Sequence, residues 1–483
     1  MLPQPGAYRP DPAILSLGSD YYDPVHAADF PQAILRFRND RWAGTVGLAD
    51  LSDDDWIRHF ARFEPMPDNL PEPLALRYHG HQFRVYNPDI GDGRGFLFAQ
   101  LRDGAGRLLD LGTKGSGQTP YSRFGDGRLT LKGGVREILA TEMLEALGVE
   151  TSKTFSLIET GEALERNDEP SPTRAAVLVR LSHGHIRMGT FPRLATIGER
   201  ENILKLAEYC LGQYFGEGGG DAPVRLLRHV TRGTARLAGA YIAAGFVHGV
   251  LNSDNINVTA ESFDYGPWRW TPEWDGAFTA AYFDHAGLYA FARQPEAIHW
   301  DVVQLALALR KVAEADVLTA ELETFPHLFQ EGLRDAIFAR LGILSGDLVA
   351  DMSLVAAIEE ALSRKTVTID RFFFDWRGGA LRNPSPAYDG FDEIGALIAR
   401  HDAAPGALDH PYWSDPEPCT MHIDEVEAIW ARIDEADDWA PFEEKVAAIR
   451  RMGQAMTAGA MTPPCAGAGE APRLTAGAGP EDQ

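Results

Sequence analysis

An α+β architecture of two lobes is what this 483-residue chain predicts: a β-rich lobe, then a helical one, with an added segment at each end. Three observations carry that expectation. Between residues 76 and 195, short apolar runs alternate with glycine-bounded turns. From 196 to 456, apolar residues recur at helical spacing instead. Polar, glycine-rich stretches sit where the two textures meet. Residues 1–75 are expected to be an extension covering the core. Residues 457–483, mostly Ala, Gly and Pro, cannot bury enough apolar surface to order themselves and are expected to be a disordered tail.

In the extension, "FPQAILRFRND" and "SDDDWIRHFARF" read as short helices, the second with acidic residues that suit a helix N-terminus. "GFLFAQLRD" and "RLLDLGTKGSG" are the two strands of a hairpin turning at "GAG". "GGVREILATEMLEALG" is an amphipathic helix: Val135, Ile138, Leu139, Met143 and Leu147 share one side, and Gly148 stops it. "TSKTFSLIET" and "AAVLVRLS" follow as strands. The helical lobe starts with "RENILKLAEYCLGQYFGEGGG". The long helix "VRLLRHVTRGTARLAGAYIAAGF" then runs straight into "VHGVLNSDNINV". "WDVVQLALALRKVAEA", "FPHLFQEGLRDAIFARLG" and "LVAAIEEALSRK" are further helices, and no internal repeat is visible.

Charge narrows the partners. With 45 basic and 70 acidic residues the net charge is −25, which disfavours nucleic acid and anionic membrane surfaces. A site for a polyanion must therefore be a local gathering of Lys, Arg and backbone N–H groups. Cys210, Cys419 and Cys465 form no C-x-x-C pair, which excludes a zinc ribbon and suits a reducing compartment. The first residues lack a basic, then apolar, secretory pattern, and no eighteen-residue apolar run occurs. The expectation is a cytoplasmic protein.

Three segments carry chemistry. In "IGDGRGFLFAQ", Gly91, Gly93 and Gly95 alternate before a strand, allowing backbone N–H groups close to phosphate oxygens, and Arg94 adds charge. Alone, this is equally a hairpin turn. Lys114 ends the next strand, and Glu137 lies on the following helix as a candidate ion-pair partner. The third segment, "HGVLNSDNINVTAESFDYGP", aligns with the protein-kinase loop H-R-D-L-x-x-x-N. His248 takes the place of the histidine and Asn255 that of the metal-binding asparagine, while Val250 occupies the place of the catalytic aspartate. Asp264-Tyr265-Gly266 resembles D-F-G. Asn255 and Asp264 supply two oxygen ligands of the kind a divalent ion with ATP requires. His79 and His81 alternate in "RYHGHQF", but no third ligand is in view and they read as structural. Together these segments predict a protein-kinase-like bilobal fold.

"GHQFRVYNPDIGDGRG", "LGTKGSGQTPYSRFGDGRLTLKGGVREIL", "HGVLNSDNI", "DYGP" and "YFDHAGLYAFARQP" together resemble the selenoprotein O family, the bacterial YdiU-type proteins. The resemblance runs from about Tyr78 to about Leu309. It implies a pseudokinase fold that binds ATP turned end for end relative to a kinase. It implies transfer of AMP to Ser, Thr or Tyr hydroxyls of proteins, the enzyme itself included, with release of pyrophosphate. Transfer of UMP from UTP is implied as well, with Mg²⁺ or Mn²⁺ as the metal. By position, Lys114, Arg180 and Arg187 would hold the phosphates. Gly91, Gly93, Arg94, Asp126 and Gly127 would line the nucleotide, Glu137 would anchor Lys114, Asn255 and Asp264 would hold the metal, and Asp254 would be the base. Two arginines seven apart on an extended segment are costly to hold near Lys114 unless a polyanion joins them. The chain departs from the family in a short segment after "FDH", in "LRNPSPAYDG", and in Cys465, which stands alone in "TPPCAGAGE" and reads as a plain thiol. A protein kinase moving the γ-phosphate and a non-catalytic ATP-binding scaffold are the alternatives. Retention of Lys114, Asp264 and their neighbours speaks against the scaffold.

Overall fold

The computed structural model describes residues 5–167 and 169–458. The tail expected to be disordered lies, from residue 459 and with Cys465, outside the described residues. The β-rich part is built on one antiparallel sheet of eight strands. These are β1 (Tyr22–Pro24), β2 (Ile34–Arg38), β3 (Leu74–Leu76), β6 (Leu97–Arg102), β7 (Leu108–Lys114), β8 (Leu129–Thr130), β9 (Lys153–Leu164) and β10 (Thr173–Ser182). The path runs β1-β3-β6-β7-β10-β9-β2, and β8 pairs with β10. A separate hairpin joins β4 (Gly80–Gln82) to β5 (Val85–Asn87).

Both edge strands come from the N-terminal extension. "FPQAILRFRND" is therefore not a helix: Ile34–Arg38 is β2, and helix starts only at α1 (Asp40–Ala43). The reason is non-local. β2 pairs with β9, setting Leu35 opposite Ile158 and Phe37 opposite Leu157. Arg36 then meets Glu159 at 2.7 Å, and Arg38 donates to the carbonyls of Leu51 and Ala49. Tertiary partners override local helix preference. The other predicted helix of the extension forms as α2 (Asp53–Phe60), whose Ser52 side chain accepts from the Asp55 N–H.

Strand alternation sorts the sheet into two faces. Leu109, Leu111, Val177, Val179 and Leu181 face one way, onto Trp56, Phe60 and Phe63 of the extension. Trp56 stacks on Phe155 with ring centroids 4.9 Å apart. Leu108, Leu157, Ala176 and Leu178 face the other way, onto α3 (Leu131–Ala146). Lys114 and Arg180 share the parity of Leu108 and Leu178, so the same alternation aims both toward the helical part.

That part contains α4 (Thr190–Ile197), α5 (Arg200–Phe215), α6 (Ala222–Ala244), α7 (Gln294–Leu309), α8 (Ala315–Leu322) and α9 (Phe325–Leu341). It continues through α10 (Leu348–Leu362), α11 (Ile369–Asp375), α12 (Asp392–Ile398), α13 (Ile423–Ala436) and α14 (Ala440–Thr457). The buried central helix α6 ends at Gly245, whose φ of 67° is left-handed. Two short strands, β11 (Phe246–Val247) and β12 (Arg269–Trp270), then pair and bracket the loop 248–268. The kinase-like segment is thus closed at its base by a ribbon fixed to α6.

α6 crosses α9 closely enough that a Cβ on Gly239 would overlap the Leu333 amide nitrogen. Gly239→Val should destabilise the protein by about 1–3 kcal/mol. Chemical denaturation checks this, and an unchanged midpoint would contradict so close a crossing.

Candidate active site

A cavity of about 870 Å³ opens between the inner face of the sheet and the bracketed loop. Gly91, Gly93, Arg94, Lys114, Asp126, Gly127, Arg180, Arg187, Asp254 and Asp264 all line it. Lys114 comes from the end of β7 and Arg180 from β10 beside it, where Arg180 is opposite Gly112. A Cβ at Gly112 would overlap the His185 ring, so the glycine admits the turn leading to Arg187. Gly91 and Gly93 lie under Tyr121: a Cβ on Gly91 would come 2.5 Å from its ring, and one on Gly93 2.9 Å from its carbonyl oxygen. The glycines therefore let a second loop close over the first. Asp126 is held at the rim by Arg166 at 2.8 Å.

Asp264 is the centre of the charge. Lys114 Nζ approaches its carboxylate at 3.1 Å, Arg187 at 3.2 Å and Arg180 at 3.6 Å. Lys114 also pairs with buried Glu137, the anchor expected on α3. Burial alone would raise the Asp264 pKa, but Lys114, Arg187 and Arg180 hold it well below the ordinary carboxylate range. The Asn255 amide donates to Asp264 at 3.3 Å, so the two expected metal ligands are in contact. Asn255 is not itself on the cavity lining; it reaches the site through Asp264. Asp264 adopts φ 67°, a left-handed conformation that turns its carboxylate toward the cations.

Asp254 sits in a short 3₁₀ turn (Ser253–Asn255). Its carbonyl accepts from Arg187 at 2.7 Å, and its Oδ1 is buried without a hydrogen-bond partner. Burial, opposed by Arg187 and aided by Asp264, raises its pKa to about 6. The loop is pinned elsewhere: the His248 ring N–H donates to the Phe263 carbonyl at 3.0 Å, just before Asp264.

Sequence reading missed several participants. Asp92, inside "IGDGRG", is buried and pairs with Arg187 at 3.5 Å. Its pKa is raised by burial, against the pull of Arg187. Tyr78 and Phe263 give Arg187 ring faces at 4.6 Å each, and Phe263 serves Arg180 at 5.0 Å. The acid between the glycines was the one signal that could have exposed Asp92. The aromatic contacts are long-range and left no local mark. The two histidine rings have separate partners: the His79 ring meets the Tyr86 hydroxyl, and the His81 ring bonds Ser253.

Among the described residues no three His, Cys, Asp or Glu side chains gather as a metal cage. One carboxylate and one amide suit Mg²⁺ or Mn²⁺ completed by phosphate oxygens. The donors suit phosphate as well, since Arg180 Nε and Nη1 and Arg187 Nε are buried with no hydrogen-bond partner.

Comparison with known proteins gives matches over most of the chain. The family model described as "Protein adenylyltransferase SelO" matches residues 7–383, wider than the span legible in the motifs. The "Protein nucleotidyltransferase YdiU" of Synechocystis sp. is 41% identical over 468 residues, covering 90% of this chain and 96% of the relative. That of Gloeobacter violaceus is 42% identical, covering 91% and 95%. Among solved structures, a Toxoplasma gondii rhoptry antigen kinase domain aligns at a TM-score of 0.27 and 11% identity, over 56% of this chain and 84% of that one, a likeness too low to bear on the fold.

Lys114 lies between Glu137 and Asp264. Without the anchor, it is free to collapse fully onto Asp264 and mask the carboxylate expected to hold the metal. Glu137→Gln should weaken MgATP binding about tenfold, the scale of one charged hydrogen bond. Calorimetry giving wild-type affinity would show that the anchor is dispensable.

Proposed function

The chain belongs to the protein adenylyltransferase SelO family, and from that membership we propose that it transfers AMP from ATP to Ser, Thr or Tyr hydroxyls of proteins, itself included. One observation carries the reading. Three buried cations, two of them arginines with unpartnered donors, converge on Asp264, beside a carboxyl whose proton affinity is tuned upward. That pairing suits holding a polyphosphate and accepting a proton from a hydroxyl. UTP is the second nucleotide the reading admits.

Lys114, Arg180 and Arg187 bind the phosphates, and Glu137 keeps Lys114 extended. Asn255 and Asp264 would hold Mg²⁺ or Mn²⁺, which when bound neutralises phosphate charge. Asp254 takes the proton as the acceptor oxygen bonds to the α-phosphorus. The bond from that phosphorus to the bridging oxygen breaks, and pyrophosphate leaves toward the cations. The relatives' printed names, as nucleotidyltransferases of proteins, support the reading, and so does the Val250 side chain at the place of the kinase base. No described helix is long and apolar enough to cross a membrane. A cytoplasmic location is part of the proposal, supported by the lack of a cysteine pair motif.

Label at the α-phosphate of ATP should enter protein, and label at the γ-phosphate should not. Incorporation from the γ-position alone would make the protein a kinase, and none from either would make it a scaffold. Asp264→Ala should lose metal-dependent ATP binding, whereas Asp254→Ala should keep binding and lose transfer by at least about 100-fold. Undiminished metal–ATP affinity in the first, or full transfer in the second, would remove those assignments.

The pH dependence has a definite sign. Asp254 must be ionised to act, and its pKa is about 6. Transfer should therefore rise as pH increases through about 6 and level off above about 7. A flat profile from about pH 5 to about pH 8 would exclude Asp254 as the base.

A further inference from the structure

The β4–β5 hairpin forms the wall of the cavity at Asp254 and continues beyond it. At Gly80 a Cβ would overlap the Asp254 carboxylate, so the strand passes directly over it. Gln82 lines the cavity itself. The next residue, Phe83, leaves it. Phe83 (φ 50°) and Arg84 (φ 63°) form a turn in a backbone conformation that favours Gly, Asn or Asp. The turn is held rigidly in spite of this. Asn252 Oδ1 accepts from the Phe83 N–H at 3.0 Å, Ser253 Oγ accepts from the His81 N–H at 2.8 Å, and Arg84 pairs with Glu296 at 2.7 Å.

The turn and the neighbouring residues 282 and 283 present apolar, exposed side chains. Phe83 is 38% exposed, Val85 69%, Tyr282 80% and Phe283 42%. The Phe83 and Phe283 rings lie 6.0 Å apart, and those of Tyr282 and Phe283 5.1 Å. We propose that these four side chains form the docking surface for the acceptor polypeptide, taking an apolar side chain near the modified hydroxyl. The inference rests on the transferase reading and adds the substrate class to it. The surface is continuous with the cavity through Gln82, and it is anchored to the two residues that precede Asp254. A small free acceptor would need no apolar surface outside the cavity, whereas a chain entering at Asp254 has to run along this wall. From Gly80 to Phe83 is about 10 Å of strand, so the apolar side chain belongs about three residues from the hydroxyl.

The test uses the full chain, α-labelled ATP and paired peptides bearing one Ser, Thr or Tyr. One of each pair has Leu three residues from the hydroxyl and the other has Asp there. The wild type should label the Leu peptide at least about tenfold more efficiently in kcat/KM. Phe83→Asn, which suits the left-handed turn, and Tyr282→Ala with Phe283→Ala should each lose that preference while MgATP affinity stays unchanged. Equal labelling of the pair by the wild type, or a preference retained in both variants, overturns the docking surface. A fall from dimer to monomer in the variants, read by light scattering, gives the surface to a second copy and overturns it too. A wild type that binds MgATP but labels neither peptides nor protein fails at the transferase reading instead, and takes this inference with it.

Discussion

The convergence of Lys114, Arg180 and Arg187 on Asp264 is the constraint that the rest of the site answers to. Each of these cations has a side chain no more than 5% exposed. Two like charges about 4 Å apart repel by about 4 kcal/mol at the effective dielectric of such a site. The chain offsets this with acids at fixed places: Glu137 on α3, Asp264 in the bracketed loop and Asp92 in the glycine segment. Burial raises the Asp92 pKa against the pull of Arg187. Three cations are thus gathered within a protein whose net charge is −25. Both arginines keep donors without a partner. The polyphosphate proposed for this site would answer both the repulsion and the unmet hydrogen bonds.

The fold can be understood as the means of holding those cations together. Strand alternation puts Lys114 and Arg180 on one face of the sheet, and the N-terminal extension seals the opposite face with Trp56, Phe60 and Phe63. The extension also supplies both edge strands, of three and five residues, and edges this short offer little for other chains to pair with. On the helical side, the β11–β12 ribbon fixes the ends of the loop while His248 fixes its middle. Asp264 is thus placed by tertiary contacts that begin at α6, and Lys114 by the sheet. The site exists only where the two parts meet.

Local pattern made the strands and helices of this framework legible, because glycine turns and apolar spacing act over a few residues. The Lys114–Glu137 pair and the Asn255–Asp264 pair were legible for a different reason: motif spacing fixes which residues can meet. Three things were not. β2 was read as helix because its partner, β9, lies more than 100 residues away and decides its conformation. Asp92 was passed over because an acid between closely spaced glycines looks like a turn residue until Arg187 is seen beside it. The rings of Tyr78 and Phe263 under the arginines carry no periodic signature at all. Sequence reading captured the charged groups and missed the neighbours that make their burial tolerable.

The position of the proposed base follows from the same charge geometry. In the loop, Val250 stands where a kinase would place its aspartate, and Asp254 comes four residues later, on the far side of the Asn252–Ser253 turn. An acid there is next to the Arg187 guanidinium, which bonds its carbonyl, and within the field of Asp264. Arg187 alone would hold the Asp254 carboxyl ionised and weakly basic. Burial outweighs it, and the negative charge of Asp264 adds to burial, leaving a group that is ionised near neutrality yet still able to bind a proton. Changing Asp264 therefore alters two properties together, the proposed metal ligand and the basicity of Asp254. Changing Asp254 leaves the cations' contacts with Asp264 in place and reaches the cluster only through the loss of its charge beside Arg187. Nucleotide holding and proton acceptance are separable in one direction only, because the carboxylate that gathers the cations also sets the proton affinity of its neighbour.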